Sequence, residues 1–261
     1  MKFVRYQTTQ GISYGILDGE TIRELRGDLF QHTETGTQHR LADVKLLVPC
    51  TPGKIVCIAR NYSSHMGDRA KPAKPEMFWK PLSCLQNPGD SIILPQGWTN
   101  VHYEGELVLV IGKRLKKASK EEAAAAIFGG TCGNDLSDRD IQNGPNKDLQ
   151  WWRAKGADTF GPVGPWIVTG LDWGHLWLRT RLNGVVVQEQ NTKDLLFDCS
   201  TMISFTSQCV TLDPGDIVFT GTPNVTQKVS PGDTVEVDLE GIGVLSNPVI
   251  AEQSTLPAQA F

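Results

Sequence analysis

At 261 residues and 28.7 kDa the chain is long enough to bury a full core, either as one large domain or as one domain with a small companion. Charged residues make up 21% and hydrophobic residues 39%, as in soluble globular proteins, and a net charge of −4 without a basic cluster argues against a nucleic-acid-binding surface. No apolar run approaches bilayer-spanning length, and Met1–Gln7 lacks the apolar stretch of a signal peptide, so the expected setting is cytoplasmic, with no membrane partner. Cys50, Cys57, Cys84, Cys132, Cys199 and Cys209 form no C-x-x-C pair and read as reduced thiols.

Residues 1 to about 49 read as a small separate β unit. Phe3–Tyr6, Ser13–Leu17 and Glu20–Leu25 are predicted strands, with a hairpin turn at Asp18-Gly19, and polar His32–His39 is an expected loop. Lys54–Ala59 follows as a buried strand, then Arg60-Asn61-Tyr62 and one helical turn from Ser63. On that turn His65 and Asp68 stand at i and i+3 and can touch, and a carboxylate there would fix the tautomer of the imidazole and raise its basicity. Spacing alone favours an ordinary surface His beside a surface Asp.

Val101–Lys113 reads as one strand, rich in Val and Ile and ended by Gly112. Glu104 and Glu106 then point to the same side, about 7 Å apart. A buried like-charged pair is costly unless a cation offsets it, and the simplest such cation is hard and divalent, Mg²⁺ or Mn²⁺. Two solvated glutamates on an edge strand are the plain alternative. Ser119 and Glu122 form a capping-box pattern that opens a helix expected to run up to Gly129-Gly130. A strand over Thr131–Asn134 then delivers Asp135, Ser137 can cap a helix from Asp138 to about Asn143, and Arg139 in its first turn reads as a surface residue.

The later chain is mostly β. Pro-Gly-Asp turns at 88–90, 214–216 and 231–233 each precede a β-branched run, and Asn183-Gly184 turns a hairpin within Arg179–Gln188. A helix is expected around Ser200–Gln208, and the tail after Val249 carries little signal. Lys155 by itself reads as a loop lysine. No Ser-His-Asp nucleophile elbow, phosphate-binding loop, dinucleotide fingerprint or H-E-x-x-H is present.

Glu104-x-Glu106 followed about thirty residues later by Asp135 resembles the metal-binding core of the fumarylacetoacetate hydrolase family. Other segments resemble it in the same order. Arg60-Asn61-Tyr62 with His65 resembles a mobile lid whose second acid is usually Glu and here is the shorter Asp68. Phe78-Trp79-Lys80-Pro81 resembles an F-x-K-P segment, Lys155–Trp166 resembles K-x-x-D-x-F-x-P-x-G-P-W, and Thr220–Pro223 resembles a T-G-T-P turn. The resemblance covers about residues 50 to 250. It implies an α+β, mainly β fold: a mixed β-sandwich roll at 50–250, preceded by a small N-terminal domain at 1–49 and followed by a tail at 251–261, usually as a homodimer.

For the site it implies one Mg²⁺ or Mn²⁺ per subunit on Glu104, Glu106 and Asp135, with Lys155 as a fixed positive charge toward an anionic substrate. Arg60, Tyr62, Lys80, Arg139 and Thr222 bind the substrate, Arg139 and Thr222 through its carboxylates, and His65 supported by Asp68 activates a water when the lid closes. The implied substrate is a small anionic α-keto or β-diketo acid. The implied reaction is C–C hydrolysis of an acylpyruvate or fumarylpyruvate-like compound through an enolate held at the ion. Decarboxylation or tautomerisation of oxaloacetate, or isomerisation of 2-hydroxyhepta-2,4-diene-1,7-dioate, would run on the same scaffold. A non-enzymatic metal-binding β-roll would instead show a closed coordination shell and no lid.

Overall fold

A computed structural model describes residues 1–145 and 147–253. The N-terminal strands β1 (Lys2–Thr8), β2 (Gly11–Asp18) and β3 (Thr21–Gly27) form where alternation predicts them. His32–Arg40 is a fourth strand, β4, and not a loop. It pairs with β3 along the rim of the sheet, where both faces meet solvent, so its polar sequence is that of a wetted edge strand.

The chain continues through β5 (Lys45–Leu46), β6 (Ile55–Ala59), α1 (Ser63–Met66), β7 (Glu76–Lys80), β8 (Leu85–Gln86), β9 (Ile92–Leu94), β10 (Val101–His102) and β11 (Gly105–Ile111). Then come α2 (Lys120–Ala125), β12 (Ile127–Asn134), β13 (Ser137–Asp138), α3 (Arg139–Asn143), α4 (Trp152–Gly156) and β14 (Gly161–Val168). The last part holds β15 (Trp177–Leu182), β16 (Val185–Asn191), α5 (Cys199–Cys209), β17 (Ile217–Phe219), β18 (Thr234–Leu239) and β19 (Gly243–Ala251). From residue 254 the expected tail lies outside the described residues.

The larger sheet runs β4-β3-β2-β1-β14-β12-β11-β17-β6-β7, and a second runs β16-β15-β18-β19-β9. Leu107, Leu109 and Cys132 from the first sheet meet Leu178, Val237 and Leu245 from the second in one core, so the expected mainly β sandwich forms. The N-terminal strands do not stand apart, because β1 pairs with β14 at Lys2↔Val168 and Phe3↔Ile167. The predicted capping box is present at Ser119 and Glu122, but the helix stops at Ala125 and Gly129-Gly130 lie inside β12. Among the described residues no helix is long and apolar enough to cross a membrane.

β11 and β12 position the site. All seven residues of β11 are buried, which fits a strand covered on both faces. It pairs antiparallel with β12 at Gly105↔Asn134 and Glu106↔Gly133. A methyl group at Gly133 would sit 2.4 Å from Val108 and 2.7 Å from Phe219, so only glycine permits this approach.

Candidate metal centre and active site

The predicted single strand over 101–113 is broken at Tyr103-Glu104, and that break shapes the site. The amide of Glu104 donates to Asn134 Oδ1 at 2.9 Å, and the amide of Asp135 donates to Glu104 O at 2.9 Å. The two chain ends are thereby tied together just beyond the β11–β12 pairing. Glu104, Glu106 and Asp135 converge, with one carboxylate oxygen from each lying within 4.8 Å of the others. All three are buried.

Each carboxylate has a different partner. Lys155 Nζ, on α4, donates to Glu104 Oε2 at 2.7 Å, Asp135 Oδ2 at 2.6 Å and Ser137 Oγ at 2.6 Å. Lys80 Nζ donates to Asp135 Oδ1 at 2.7 Å. Arg139 Nη2 donates to Glu104 Oε1 at 2.5 Å. Among the described residues Glu106 has only the amide of Gly221, 2.6 Å from its Oε2. Gly221 is held at φ 103° and a methyl group there would meet Asn61, so the turn after β17 requires glycine to aim this N–H.

The electrostatics follow from these partners. Burial alone would raise the Glu104 carboxyl, but Lys155, Arg139 and His65 together hold it well below the usual carboxylate range. Burial raises Glu106 well above that range, and the nearby Asp135 and Glu104 push it further. Glu106 is thus the carboxylate of the trio without a cation of its own. Three convergent oxygen donors, one lacking charge compensation, fit a hard divalent ion, and Glu104, Glu106 and Asp135 are the residues that would hold it.

The trio faces a cavity of about 590 Å³, also lined by Arg60, His65, Arg69, Phe78, Arg139, Lys155 and Thr222. His65 Nδ1 lies 2.7 Å from Asn224 O. A carbonyl only accepts, so Nδ1 carries the proton and Nε2 keeps its lone pair. Nε2 points at the trio, 3.9 Å from Glu104 Oε1. Burial lowers the basicity of His65 despite the pull of Glu104 and the Asn224 carbonyl, so the ring is neutral at physiological pH.

Several expected roles change. Asp68 makes no hydrogen bond to His65: α1 ends at Met66, Gly67 turns at φ 57°, and Asp68 is carried out to solvent. The Asn224 carbonyl orients the imidazole instead. Tyr62 is fully buried, its hydroxyl has no hydrogen-bond partner among the described residues, and it does not line the cavity. Lys80 is likewise off the cavity, held by Asp135 and the Lys155 carbonyl.

Thr222 lines the cavity, but its hydroxyl donates to Gly105 O at 2.9 Å and accepts from Gln188, so it has no proton left for a substrate carboxylate. The Gly221 amide of the same turn serves Glu106. Arg139 is engaged by Glu104, Thr226 and Gln142, and Arg60, just past the end of β6, is engaged by Glu76 at the start of β7. Asp138, not Ser137, caps α3 by accepting from Ile141 N at 2.8 Å. Asn134, Ser137 and the Asn224 carbonyl emerge only in three dimensions. Asn134, next to Asp135, offered the one sequence hint, since a polar side chain ending a buried strand needs a partner.

Residues 54–250 match the model of the fumarylacetoacetate (FAA) hydrolase C-terminal family, and residues 1–49 match the Rv2993c-like N-terminal family. Protein Rv2993c of Mycobacterium tuberculosis is 42% identical over 264 residues, covering 96% of this chain and 98% of that protein. The crystal structure of 2-hydroxyhepta-2,4-diene-1,7-dioate isomerase from Mycobacterium marinum superposes with a TM-score of 0.90 at 40% identity, covering 97% of this chain and all 100% of that one. The structure of maleylpyruvate hydrolase from Sphingobium sp. SYK-6, in complex with manganese(II) and pyruvate, superposes with a TM-score of 0.80 at 28% identity, again covering 97% and 100%.

Proposed function

Because the chain belongs to the fumarylacetoacetate hydrolase family, an enzyme family, we propose that it hydrolyses a C–C bond of an acylpyruvate or fumarylpyruvate-like β-diketo acid with the aid of Mg²⁺ or Mn²⁺. The observation that carries this reading is the free lone pair of His65 Nε2, aimed into a cavity floored by three carboxylates. Bound at Glu104, Glu106 and Asp135, the divalent ion supplies Lewis acidity to the keto-acid end of the substrate.

The chain's own groups do the rest. Lys155 and Lys80 hold Asp135 and Glu104 in place and limit the negative charge that an anionic substrate meets. His65 Nε2 takes a proton from water as the water oxygen bonds to the distal carbonyl carbon. The C–C bond breaks, its electron pair stays with the pyruvate fragment, and that carbon takes a proton, so His65 is free for the next turnover. Phe78, with Lys155 Nζ 4.9 Å from its ring centroid, keeps the keto-acid end dry. The hydrolase neighbour holding manganese and pyruvate supports this reading.

One observation favours a second reading. With Asp68 in solvent, His65 Nδ1 has a carbonyl and not a carboxylate behind it to stabilise a developing imidazolium, and isomerisation of a hydroxydienedioate or decarboxylation and tautomerisation of oxaloacetate ask less of it. The isomerase from Mycobacterium marinum supports that branch. A screen with Mg²⁺ of acetylpyruvate, fumarylpyruvate, oxaloacetate and a hydroxydienedioate separates the two. Hydrolysis is the expected leading activity, and turnover of the last two alone would overturn it. A homodimeric, cytoplasmic enzyme belongs to the same proposal and is tested by sedimentation and fractionation.

A further inference from the structure

Four basic side chains with long arms line the cavity: Arg60, Arg69, Arg139 and Lys155. Three are neutralised. Arg60 pairs with Glu76, Arg139 with Glu104, and Lys155 with both Glu104 and Asp135. Among the described residues Arg69 has no acidic partner. Its Nε donates to Met66 O at 2.9 Å and its Nη2 to His65 O at 3.1 Å, both carbonyls of α1. A guanidinium carries five N–H donors, so three remain, including both on Nη1. The carbonyls of α1 fix its plane, and the residue is exposed at the mouth, on the segment that carries His65.

A planar cation held rigid, unspent, and facing a cavity whose floor takes the keto-acid end is suited to bidentate capture of a second carboxylate. We infer that Arg69 is a specificity-determining residue that binds the distal carboxylate of the substrate, so that the enzyme selects keto diacids over keto monoacids. The inference rests on the proposed function only in placing the keto-acid end at the carboxylate trio. It narrows the substrate class from acylpyruvates in general to those whose acyl part ends in a carboxylate. A purely structural role, capping α1, is the competing explanation, and it makes no distinction between ligands.

The test uses two probes of equal length that differ only at the far end, 2-oxoglutarate and 2-oxopentanoate. Their binding to the full-length Mn²⁺-loaded protein is measured by calorimetry for the wild type, Arg69→Gln and Arg69→Lys. The wild type is expected to prefer the diacid by on the order of tenfold. Arg69→Gln should bring that ratio close to one, and Arg69→Lys should keep part of it. Equal affinities in the wild type, or an undiminished ratio in Arg69→Gln, would overturn the inference. Failure of the hydrolase reading is seen separately: a ratio that follows Arg69 while neither fumarylpyruvate nor acetylpyruvate is cleaved sinks the reaction and keeps the subsite. Cleavage of both, with a ratio indifferent to Arg69, does the reverse.

Discussion

The floor of the cavity and its mouth are built on opposite plans. Glu104, Glu106 and Asp135 sit at the ends of two fully paired central strands, buried, with backbone amides or ammonium groups fixing their oxygens. His65 rides on a four-residue helix, and Arg69 lies just past its end, beyond the exposed Gly67 and Asp68. An isolated helix of that length has almost no stability of its own. The floor holds a fixed charge pattern because moving it would break the sheet, whereas the mouth is held by a few side-chain bonds, His65 to the Asn224 carbonyl and Ser64 to Gln190 and the Asn224 amide. Charge placement at the floor therefore rests on the strands, and the positions of His65 and Arg69 rest on a short, largely exposed segment.

The sharpest way to break this contrast is at Glu106. Glu106→Gln keeps the acceptor for the Gly221 amide but removes the carboxylate that lacks a cation. Mn²⁺ affinity, read by calorimetry, should fall more than about 100-fold while the metal-free protein folds normally. Unchanged affinity would remove the trio from the metal. At the mouth, His65→Ala should lower hydrolysis by roughly 10²–10⁴-fold and leave calorimetric binding of 2-oxoglutarate within about threefold. Full turnover by that variant would end the water-activation role.

Lys155→Met strands Glu104 and Asp135 with fewer positive partners, and the metal-free protein should lose on the order of 3–5 kcal/mol of stability. Added Mn²⁺ should narrow the gap in Tm, because it supplies charge to the same oxygens.

A pH series isolates Glu106. Its folded-state pKa is raised, so above the ordinary carboxylate range the metal-free folded chain keeps a proton that the unfolded chain has released. Stability should then fall as pH rises, with a slope of up to about 1.4 kcal/mol per pH unit from that one group, and Glu106→Gln should flatten it. The smallest effect is expected at Asp68: Asp68→Ala should change turnover by less than about threefold, since its carboxyl does not touch His65. A loss as large as that of His65→Ala would show that the two meet in a closed state.

The sequence disclosed the floor better than the mouth. Glu104, Glu106 and Asp135 were legible because a carboxylate next to an apolar run has few stable explanations. The capping box at Ser119, the hairpin at Asn183-Gly184 and α5 were legible because each depends on contacts within a few residues. What stayed hidden depends on tertiary packing. Polar β4 gives no alternating pattern because neither face is buried. The i, i+3 spacing of His65 and Asp68 holds only if the helix continues, and Gly67 stops it. Arg139 and Thr222 were placed near the substrate, but their donors go to Glu104 and to the Gly105 carbonyl. Gln188, which comes from the other sheet to meet Thr222, has no signature along the chain.

The hold on His65 comes from a main-chain oxygen, and this has an evolutionary consequence. Replacing the side chain at 224 leaves that oxygen on the chain, so exchange there acts on the bond through the path of the segment and not by removing the acceptor. That path is pinned at two points, by Ser64 Oγ accepting the Asn224 amide, which any side chain at 224 would keep, and by Asn224 Oδ1 accepting the Glu189 amide, which the Asn224 side chain supplies. The proton position on the ring is thus tied to the length of this loop and to Asn224, and an insertion or deletion between 221 and 226 would retune it more than a point change elsewhere in the segment.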